Sequence, residues 1–248
     1  MRASQTRKQL ETRVQIPVGA YRISPLFLNS ACVILNVALS SHFPFRKVER
    51  DAFEILTSTF IYEDYLWLVS DLKPNTTAID VGAYIGDTAL YFAMQPNIKE
   101  VWAFEPYKSN FEALKANISR SPRKEKIKLF NAAIGKPGSN YKLKVKDIKE
   151  EAYAPLELGN GEEIEVLGLD TVLNKVENNA VLKINCDGCE FFAFECCVDF
   201  SKVYRMQILA YNSFGPVEII EQTLAKVGFN SKRAPSRVKD TVWIYAWK

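Results

Sequence analysis

Glycines and carboxylates stand where one predicted strand passes into a helix. The segment Ile79–Asp87 reads IDVGAYIGD and follows a short apolar run. Glycines at such a turn allow a tight bend and the close approach of a ligand to the backbone. The spacing is not the Gly-x-Gly-x-x-Gly of dinucleotide-binding turns, so by itself it is also typical of an ordinary strand-to-helix turn. The residues predicted to contact a ligand here are Asp80, Gly82, Ala83, Tyr84, Gly86 and Asp87.

Another carboxylate follows the next predicted strand. Glu105 and Pro106 end the segment Val101–Pro106, and a carboxylate at this place can accept hydrogen bonds from both hydroxyls of a ribose. An isolated Glu-Pro pair is equally an acidic helix start, which the helix dipole favours. Together with the glycine turn, at the spacing of one strand–helix–strand unit, it predicts a site for a cofactor that carries a nucleoside.

Two nucleoside cofactors fit a ribose-binding acid, namely NAD and S-adenosylmethionine. The turn lacks the fingerprint that holds a pyrophosphate at a helix N-terminus, and Asp87 at the helix start would repel one. Asp80, at the strand end, is expected to meet a cationic group such as the α-ammonium of methionine. Acids around the site suit a ligand that carries a sulfonium and an ammonium, so we predict S-adenosylmethionine.

A third polar turn follows a later strand. The segment Leu182–Glu190 reads LKINCDGCE, and its strand is expected beside the first one, where ligands bind at the carboxyl edge of such sheets. We predict that Asn185, Asp187 and Glu190 converge near the reactive end of the cofactor, with the two acids as candidate bases. The alternative is a polar turn in which Asp187 caps a helix.

The remaining elements must hold these three turns at one edge. Short apolar runs alternate with helical periodicity, which predicts right-handed strand–helix–strand units and a mostly parallel sheet. Residues 24–72 read as helical. Residues 135–168 are predicted to form an antiparallel β-insertion. From position 141, apolar residues alternate with lysines, which predicts a half-exposed strand, called here the lysine strand. Ile164–Leu167 is expected to pair with this lysine strand. The seven predicted strands are 78–81, 101–104, 127–130, 181–184, 208–211, the Phe229 region and 241–247.

Composition excludes several classes of protein. Of 248 residues, 48% are hydrophobic and 25% are charged, which disfavours collagen-like, disordered and disulfide-scaffold chains. The net charge of +3 is smaller than that of proteins dominated by nucleic-acid contacts. His42 is the one histidine, so His-rich metal sites are disfavoured and a Ser-His-Asp triad would need it as the base.

The five cysteines are an odd number, and four of them lie between positions 186 and 197. A secreted disulfide framework would spread and pair them, so we predict reduced thiols in a cytoplasmic protein. Zinc is the alternative for Cys186 and Cys189, but the adjacent pair Cys196-Cys197 lacks metal-ligand spacing, and we predict no metal site. The apolar stretch from Leu26 to Leu39 is shorter than the ~20 residues that span a bilayer, so no transmembrane segment is predicted.

Five segments together resemble the FkbM-type methyltransferases, which use S-adenosylmethionine. They read IDVGAYIGDTALYFA, VWAFEPYKSNFEALKANI, LFNAAIG, LGLDTVL and LKINCDGCEFFAFE and cover about residues 75–200. The resemblance implies an α/β, Rossmann-like methyltransferase fold with seven strands, the last antiparallel. By position, it also implies that Asp80, Gly82, Tyr84 and Gly86 line the methionine part of the cofactor, that Glu105 holds the ribose, and that Asn131 and Ala132 lie beside adenine.

The third turn departs twice from the family's Lys-Ile-Asp-x-Glu-Gly-x-Glu pattern. Asn185 stands where the pattern has aspartate, and Asp187 where it has glutamate. Both positions belong to a site of acid–base work or substrate orientation. The resemblance implies O-methylation of a sugar or small metabolite, a reaction that gains from positioning the two reactants and from a base for the attacking hydroxyl.

We expect residues 1–74 to form an N-terminal helical extension or lid, and residues 75–248 to form the methyltransferase domain. The expected partner is a sugar or small-molecule acceptor. An RNA methyltransferase is a competing hypothesis, because basic residues between Arg123 and Lys149 are suited to phosphate contacts. A solvated edge strand protected by lysines is the simpler interpretation of these residues. Two further hypotheses are a cofactor-binding module without catalysis and an NAD-dependent oxidoreductase.

Overall fold

The computed structural model describes residues 54–138, 141–143, 156–158, 162–177, 179–194 and 199–248. Its strands are β1 (Thr76–Val81), β2 (Ile98–Phe104), β3 (Ile127–Phe130), β4 (Ala132–Ile134), β5 (Tyr141–Leu143), β6 (Leu156–Leu158), β7 (Glu162–Glu163), β8 (Glu165–Leu167), β9 (Ala180–Ile184), β10 (Val203–Tyr211), β11 (Asn230–Pro235) and β12 (Thr241–Trp247). Its α-helices are α1 (Leu66–Val69), α2 (Asp87–Ala93), α3 (Lys108–Ser119), α4 (Leu169–Asn174) and α5 (Val217–Lys226).

The central sheet confirms the predicted fold class. Seven strands lie in the order β11–β12–β10–β9–β1–β2–β3. β1 pairs in parallel with β2 and β9, and the parallel pairing continues to β3 on one side and β10 on the other. β12 is antiparallel to both β10 and β11. Strand order reverses at β1, so the crevice for a ligand is expected at the carboxyl ends of β1, β2 and β9.

Helices cover both faces of this sheet and bury two apolar clusters. α4 and α5 pack on one face through residues such as Leu169 and Ile220, and α1, α2 and α3 pack on the other through residues such as Leu68 and Leu114. β1 and β9 are therefore buried along their whole length. Strands covered on both faces read as continuous apolar runs rather than as alternating patterns, which is why the sequence revealed them.

The predicted N-terminal helical segment is described only from residue 54 onward. A π-helical turn covers Thr57–Ile61 and α1 follows after a short break. The segment attaches to the sheet through Arg205 of β10, whose guanidinium donates hydrogen bonds to the carbonyls of Trp67 and Ser70. Residues 24–53 and His42 of the prediction lie outside the described residues.

The predicted β-insertion is described in part. β5 pairs antiparallel with β6 and β7, but β8 pairs in parallel with β4. The prediction that Ile164–Leu167 pairs with the lysine strand is therefore wrong. The reason is burial, because β4 is buried along its length and Leu167 packs against the core beside Ile134. Within the described ranges, no helix is both long enough and apolar enough to cross a membrane.

Candidate active site

A cavity of about 600 Å³ lies at the carboxyl edge of the sheet, within the range of ~300–1,000 Å³ common for small-molecule sites. The three turns predicted from the sequence all contribute to its wall. Eight of the predicted site residues line it: Gly82, Tyr84, Asp87, Glu105, Pro106, Ala132, Asn185 and Asp187. Five do not belong to its lining: Asp80, Ala83, Gly86, Asn131 and Glu190.

Gly82 brings the first and third turns into direct backbone contact. Its φ is +76°, and a Cβ placed on it would lie 1.9 Å from the carbonyl oxygen of Asn185. Tyr84 also has a left-handed backbone, with φ at +47°, and this directs its N–H to Oε2 of Glu105 at 2.9 Å. Gly86 serves packing instead, because a Cβ there would lie 2.6 Å from the Leu114 side chain in α3.

Replacing Gly82 with alanine is expected to destabilise the protein more than a left-handed φ alone explains. Gly138 is the matched control, because its φ is +75° and no atom lies within 4 Å of a Cβ placed there. Gly138→Ala should cost ~1–2 kcal/mol of unfolding free energy, and Gly82→Ala at least about 2 kcal/mol more, because its clash is with backbone. Urea unfolding measures both, and equal costs would refute the close approach.

Glu105 is buried at the end of β2 but still faces the cavity, with 4% of its surface exposed. Its Oε2 accepts from Tyr84, and its Oε1 accepts from the Tyr107 N–H at 3.0 Å and the Asn110 amide at 3.4 Å. Burial raises its pKa to about 7. A carboxylate offers about four acceptor positions, so about one remains for a ligand hydroxyl rather than the two expected from sequence.

Asn131 holds the backbone of the turn that carries Glu105. Its amide donates to the carbonyls of Glu105 at 2.9 Å and Pro106 at 3.1 Å. The side chain was expected beside adenine, but it is used to hold the turn after β2, while Ala132 does line the cavity. The side of the cavity next to β4 is therefore apolar, with Ala133 and Ile134 following.

Asp80 corrects the sequence prediction most clearly. It is fully buried, its Oδ1 lies 2.8 Å from the ammonium of Lys183, and its Oδ2 accepts from the Thr88 hydroxyl at 2.6 Å. Both of its carboxylate oxygens therefore face groups of the protein, and Asp80 is not part of the cavity lining where it was predicted to meet a ligand ammonium. Lys183, which the sequence motifs did not identify as a site residue, also donates to the carbonyls of Val81 at 3.2 Å and Gly82 at 2.5 Å. The ion pair of Lys183 and Asp80 thus holds the glycine turn in place.

In the third turn, Asn185 and Asp187 face the cavity and Glu190 does not. Asp187 is half-buried with φ at +51°, receives a side-chain hydrogen bond from Tyr211, and has its pKa raised by burial to about 6. Glu190 is fully buried and accepts from the N–H groups of Gly188 at 2.8 Å and Tyr211 at 3.1 Å. Its predicted role as a base is not supported, because it joins the turn to β10.

Part of the cavity wall comes from elements that carry no motif. Thr59 lines it and donates to Asp87 at 2.5 Å, and burial raises the pKa of Asp87 to about 6. At the mouth, the guanidinium of Arg237, in the β11–β12 loop, pairs with Asp64 and lies 4.1 Å from the centre of the Tyr62 ring. These residues are distant in sequence, so periodicity and spacing could not reveal them.

The cysteines also differ from the sequence prediction. Cys186 and Cys189 form a disulfide, so the prediction of reduced thiols is wrong for these two. The short turn between them brings the two sulfurs together regardless of the other three cysteines. The cytoplasmic location stays a prediction and loses this support. Among the described residues, no group of three or more His, Cys, Asp and Glu is arranged to hold a metal ion.

Solved structures resemble the chain at low identity. The methyltransferase FkbM from Methylobacillus flagellatus KT is 16% identical over 70% of this chain and 44% of that chain, with a TM-score of 0.48. TrmK from M. capricolum, solved with S-adenosylhomocysteine, is 11% identical over 75% of this chain and 67% of that one, with a TM-score of 0.47. An rRNA methylase from Streptococcus thermophilus is 11% identical over 75% of this chain and 94% of that chain, with a TM-score of 0.43. The chain thus spans less than half of the Methylobacillus protein.

Sequence comparison is more specific. No curated protein matches the chain significantly. The profile of the FkbM methyltransferase domain, however, matches residues 80–234, a span that begins at the end of β1, ends within β11 and contains all three turns of the cavity. Because this match covers more than half of the 248 residues, the chain belongs to the FkbM methyltransferase family.

Proposed function

We propose that the protein is an S-adenosylmethionine-dependent methyltransferase that methylates a hydroxyl group of a sugar or small metabolite. The observation that carries the proposal is the placement of Glu105. Its carboxylate is held at the end of β2, across the glycine turn from Asn185 and Asp187, inside one cavity. A ribose-binding acid and a candidate base therefore share a site of suitable size.

The residues present fit this cofactor. Glu105 keeps about one acceptor position for a ribose hydroxyl, although it is buried and already binds three donors. Ala132, Ala133 and Ile134 offer an apolar surface for a flat base. Asp87 supplies negative charge where a sulfonium and an ammonium would be attracted. S-adenosylmethionine supplies an activated methyl group when bound.

The acceptor side of the cavity has the chemistry of a polar, hydroxylated ligand. Aromatic rings of Tyr62, Tyr65 and Trp243 line it together with the carboxylate of Asp64 and the cations Arg237 and Lys239. Rings and hydrogen-bonding groups together can bind the apolar faces and the hydroxyl groups of one small molecule. The N-terminal residues 54–65 form part of this wall, and we propose that the extension acts as a lid over the acceptor.

Asp187 is the proposed base for the attacking hydroxyl. Its pKa of about 6 leaves most of the carboxylate ionised at neutral pH, so it can accept the proton as the hydroxyl attacks. Asn185 has no charge to share in this transfer, and its amide is suited to orienting the acceptor. Its side chain lies 3.5 Å from the Tyr65 hydroxyl, which supports a role on the acceptor side.

A thermal-shift comparison tests the cofactor assignment. S-adenosylhomocysteine is expected to raise the melting temperature, because a ligand that binds only the folded state stabilises it by mass action. NAD at the same concentration is the matched control and should leave the melting temperature unchanged. Stabilisation by NAD alone would favour the oxidoreductase hypothesis and contradict the proposal.

Asp187→Asn is expected to lower the methyl-transfer rate by roughly 100- to 10,000-fold, the usual contribution of a general base, without changing the affinity for S-adenosylhomocysteine. In the unchanged protein, the rate should fall as the pH drops below about 6, because the Asp187 pKa of about 6 sets where its base form is lost. Rates are measured with labelled S-adenosylmethionine and a panel of sugars and hydroxylated metabolites.

Asp199→Asn is the matched control for this substitution, since Asp199 binds the exposed Ser201 N–H at 2.8 Å and is not part of the cavity lining. An unchanged acid limb of the pH profile in Asp187→Asn would exclude Asp187 as the base. Transfer to none of the acceptors, despite cofactor binding, would favour the non-catalytic module.

The RNA methyltransferase hypothesis receives less support from the described basic residues. Lys128 pairs with Glu100 at 2.5 Å, and Lys126 donates to the Ile98 carbonyl at 2.7 Å. Both ammonium groups thus have protein partners on β2, the neighbour of the edge strand β3, as expected of a protected edge strand. Salt-sensitive binding of RNA to the protein would revive this hypothesis.

A further inference from the structure

A disulfide in the cavity wall has no part in the proposed methyl transfer. Cys186 and Cys189 are joined around Asp187 and Gly188, and both cysteines line the cavity. In the family's Lys-Ile-Asp-x-Glu-Gly-x-Glu pattern they occupy the two unspecified positions. The family pattern therefore does not require the bond, and its presence beside the candidate base needs a separate explanation.

Stabilisation of the whole fold is a weak explanation for this disulfide. It closes a ring over a sequence separation of three, and a crosslink over a short loop constrains the unfolded chain less than one over a long loop. Glu190 holds the end of the turn by accepting from Gly188 at 2.8 Å and from Tyr211 at 3.1 Å, but neither hydrogen bond involves Asp187. The effect of the disulfide is therefore local.

Of the two cysteines, Cys186 is the one that a reductant is expected to reach. Cys186 is half-buried and lines the cavity, whereas Cys189 is only 4% exposed. Exposed disulfides exchange with thiols more readily than buried ones, so an attacking thiolate is expected to meet Cys186. Glu190 Oε2 lies 3.7 Å from Cys186 Sγ, which places a proton-exchanging group beside the sulfur that is released last.

We propose that Cys186 and Cys189 are a redox-active pair that a dithiol reduces in the folded protein. A reductant thiolate attacks Cys186 Sγ, the S–S bond breaks, and Cys189 leaves as a thiolate. The second thiol of the reductant then displaces Cys186 from the mixed disulfide. Two electrons and two protons pass to the cysteines, and the reductant ends as a disulfide. Exchange with an oxidised disulfide in the reverse direction restores the bond.

Reduction releases the turn that carries Asp187. The φ angles of Asp187 and Gly188 are +51° and +108°, and a left-handed backbone is costly for a residue other than glycine. The crosslink between their neighbours keeps Asp187 in this conformation and beside the acceptor. Glu105 and Tyr84 are held by their own hydrogen bond, so the cofactor side stays in place. This consequence rests on the proposed function.

Differential alkylation tests the redox chemistry. The native protein is treated with light iodoacetamide, reduced with dithiothreitol without denaturant, treated with heavy iodoacetamide, and mapped by mass spectrometry. Cys186 and Cys189 should both carry the heavy label, and reoxidation with oxidised glutathione before the second label should prevent this. Light label on either cysteine, or reduction only after unfolding, would overturn the proposal.

Hydrogen exchange tests the release of the turn. Amides of residues 185–191 should exchange at least about tenfold faster after reduction, as expected when a local constraint is lost, while those of α2 stay unchanged. The variant Cys186→Ser/Cys189→Ser should exchange like the reduced protein and lose its response to dithiothreitol. Equal exchange in oxidised and reduced protein would overturn the release of Asp187.

The affinity for S-adenosylhomocysteine separates this inference from the proposed function. It should agree within about twofold, less than 0.5 kcal/mol, between the oxidised and reduced states. Loss of affinity on reduction would contradict a release confined to the acceptor side. Absence of binding in both states would overturn the proposed function and leave the redox result intact.

Discussion

Glu105→Gln is expected to weaken the binding of S-adenosylhomocysteine by roughly 10- to 150-fold, which corresponds to the ~1.5–3 kcal/mol of a hydrogen bond to a charged group. The reason is a mismatch of donors. Glu105 accepts N–H groups on both oxygens, from Tyr84 on one and from Tyr107 on the other. A glutamine amide replaces one of these oxygens with a donor, so one backbone N–H loses its acceptor and the ligand position changes.

Glu100→Gln is the matched control for this substitution. Glu100 lies on β2, the strand that Glu105 follows, and pairs with Lys128 at 2.5 Å, but it is not part of the cavity lining. Isothermal titration calorimetry measures both affinities, and circular dichroism verifies that both variants fold. Equal affinities in the folded Glu105→Gln variant and the unchanged protein would remove Glu105 from the cofactor site.

The same measurement has a pH dependence with a definite sign. Burial raises the pKa of Glu105 to about 7, and the ionised carboxylate is the stronger acceptor for a ribose hydroxyl. Affinity should therefore fall as the pH is lowered from about 8 to about 6.5. The glutamine variant cannot ionise at this position, so its affinity should change less over the same interval.

Lys183→Met is expected to destabilise the fold by ~3–5 kcal/mol, because removing one partner of a buried ion pair leaves the other charge uncompensated. The ammonium and the Asp80 carboxylate are 2.8 Å apart, with 2% and 0% of their side chains exposed. The substitution also removes the donor for the carbonyls of Val81 and Gly82. Loss of this support should disturb the glycine turn and weaken cofactor binding as well.

An exposed ion pair of the same length is the control for this prediction. Lys99 and Glu177 are also 2.8 Å apart, but 44% and 74% of their side chains are exposed. Lys99→Met should cost at most ~1 kcal/mol, as is usual for surface pairs. Urea unfolding compares the two lysine variants, and similar costs would show that burial does not govern the strength of the Asp80 pair.

A double substitution keeps the test informative if Lys183→Met does not fold. Asp80→Asn combined with Lys183→Met removes both charges, and the amide can still interact with the Thr88 hydroxyl, which lies 2.6 Å from Asp80 Oδ2. The double variant should be more stable than Lys183→Met alone, because no buried charge is left unpaired. If it were equally unstable, the loss would come from packing and from the missing donor to the carbonyls of Val81 and Gly82, and not from charge.

Much of the fold was predictable because its signals are local. β1 and β9 are buried on both faces, so their sequences are apolar runs, and strand–helix alternation then implies a parallel sheet with ligands at its carboxyl edge. The same reasoning failed for β8, which pairs with β4. A three-residue strand carries no information about which of several apolar partners it will meet.

For the candidate site too, some features were predictable from the sequence and others depended on the tertiary structure. The turns that meet at the sheet edge were predictable from the sequence alone, because strand–helix alternation implies parallel strands whose carboxyl ends share one edge, and Glu105 and Asp187 do line the cavity. Only the tertiary structure decided which carboxylates remain available. Asp80 and Lys183 are register partners on adjacent strands, so they neutralise each other, and Glu190 is bound by two backbone N–H groups. Apart from the Gly188 N–H, these partners of the two carboxylates lie far from them in sequence, so no spacing along the chain records the pairings.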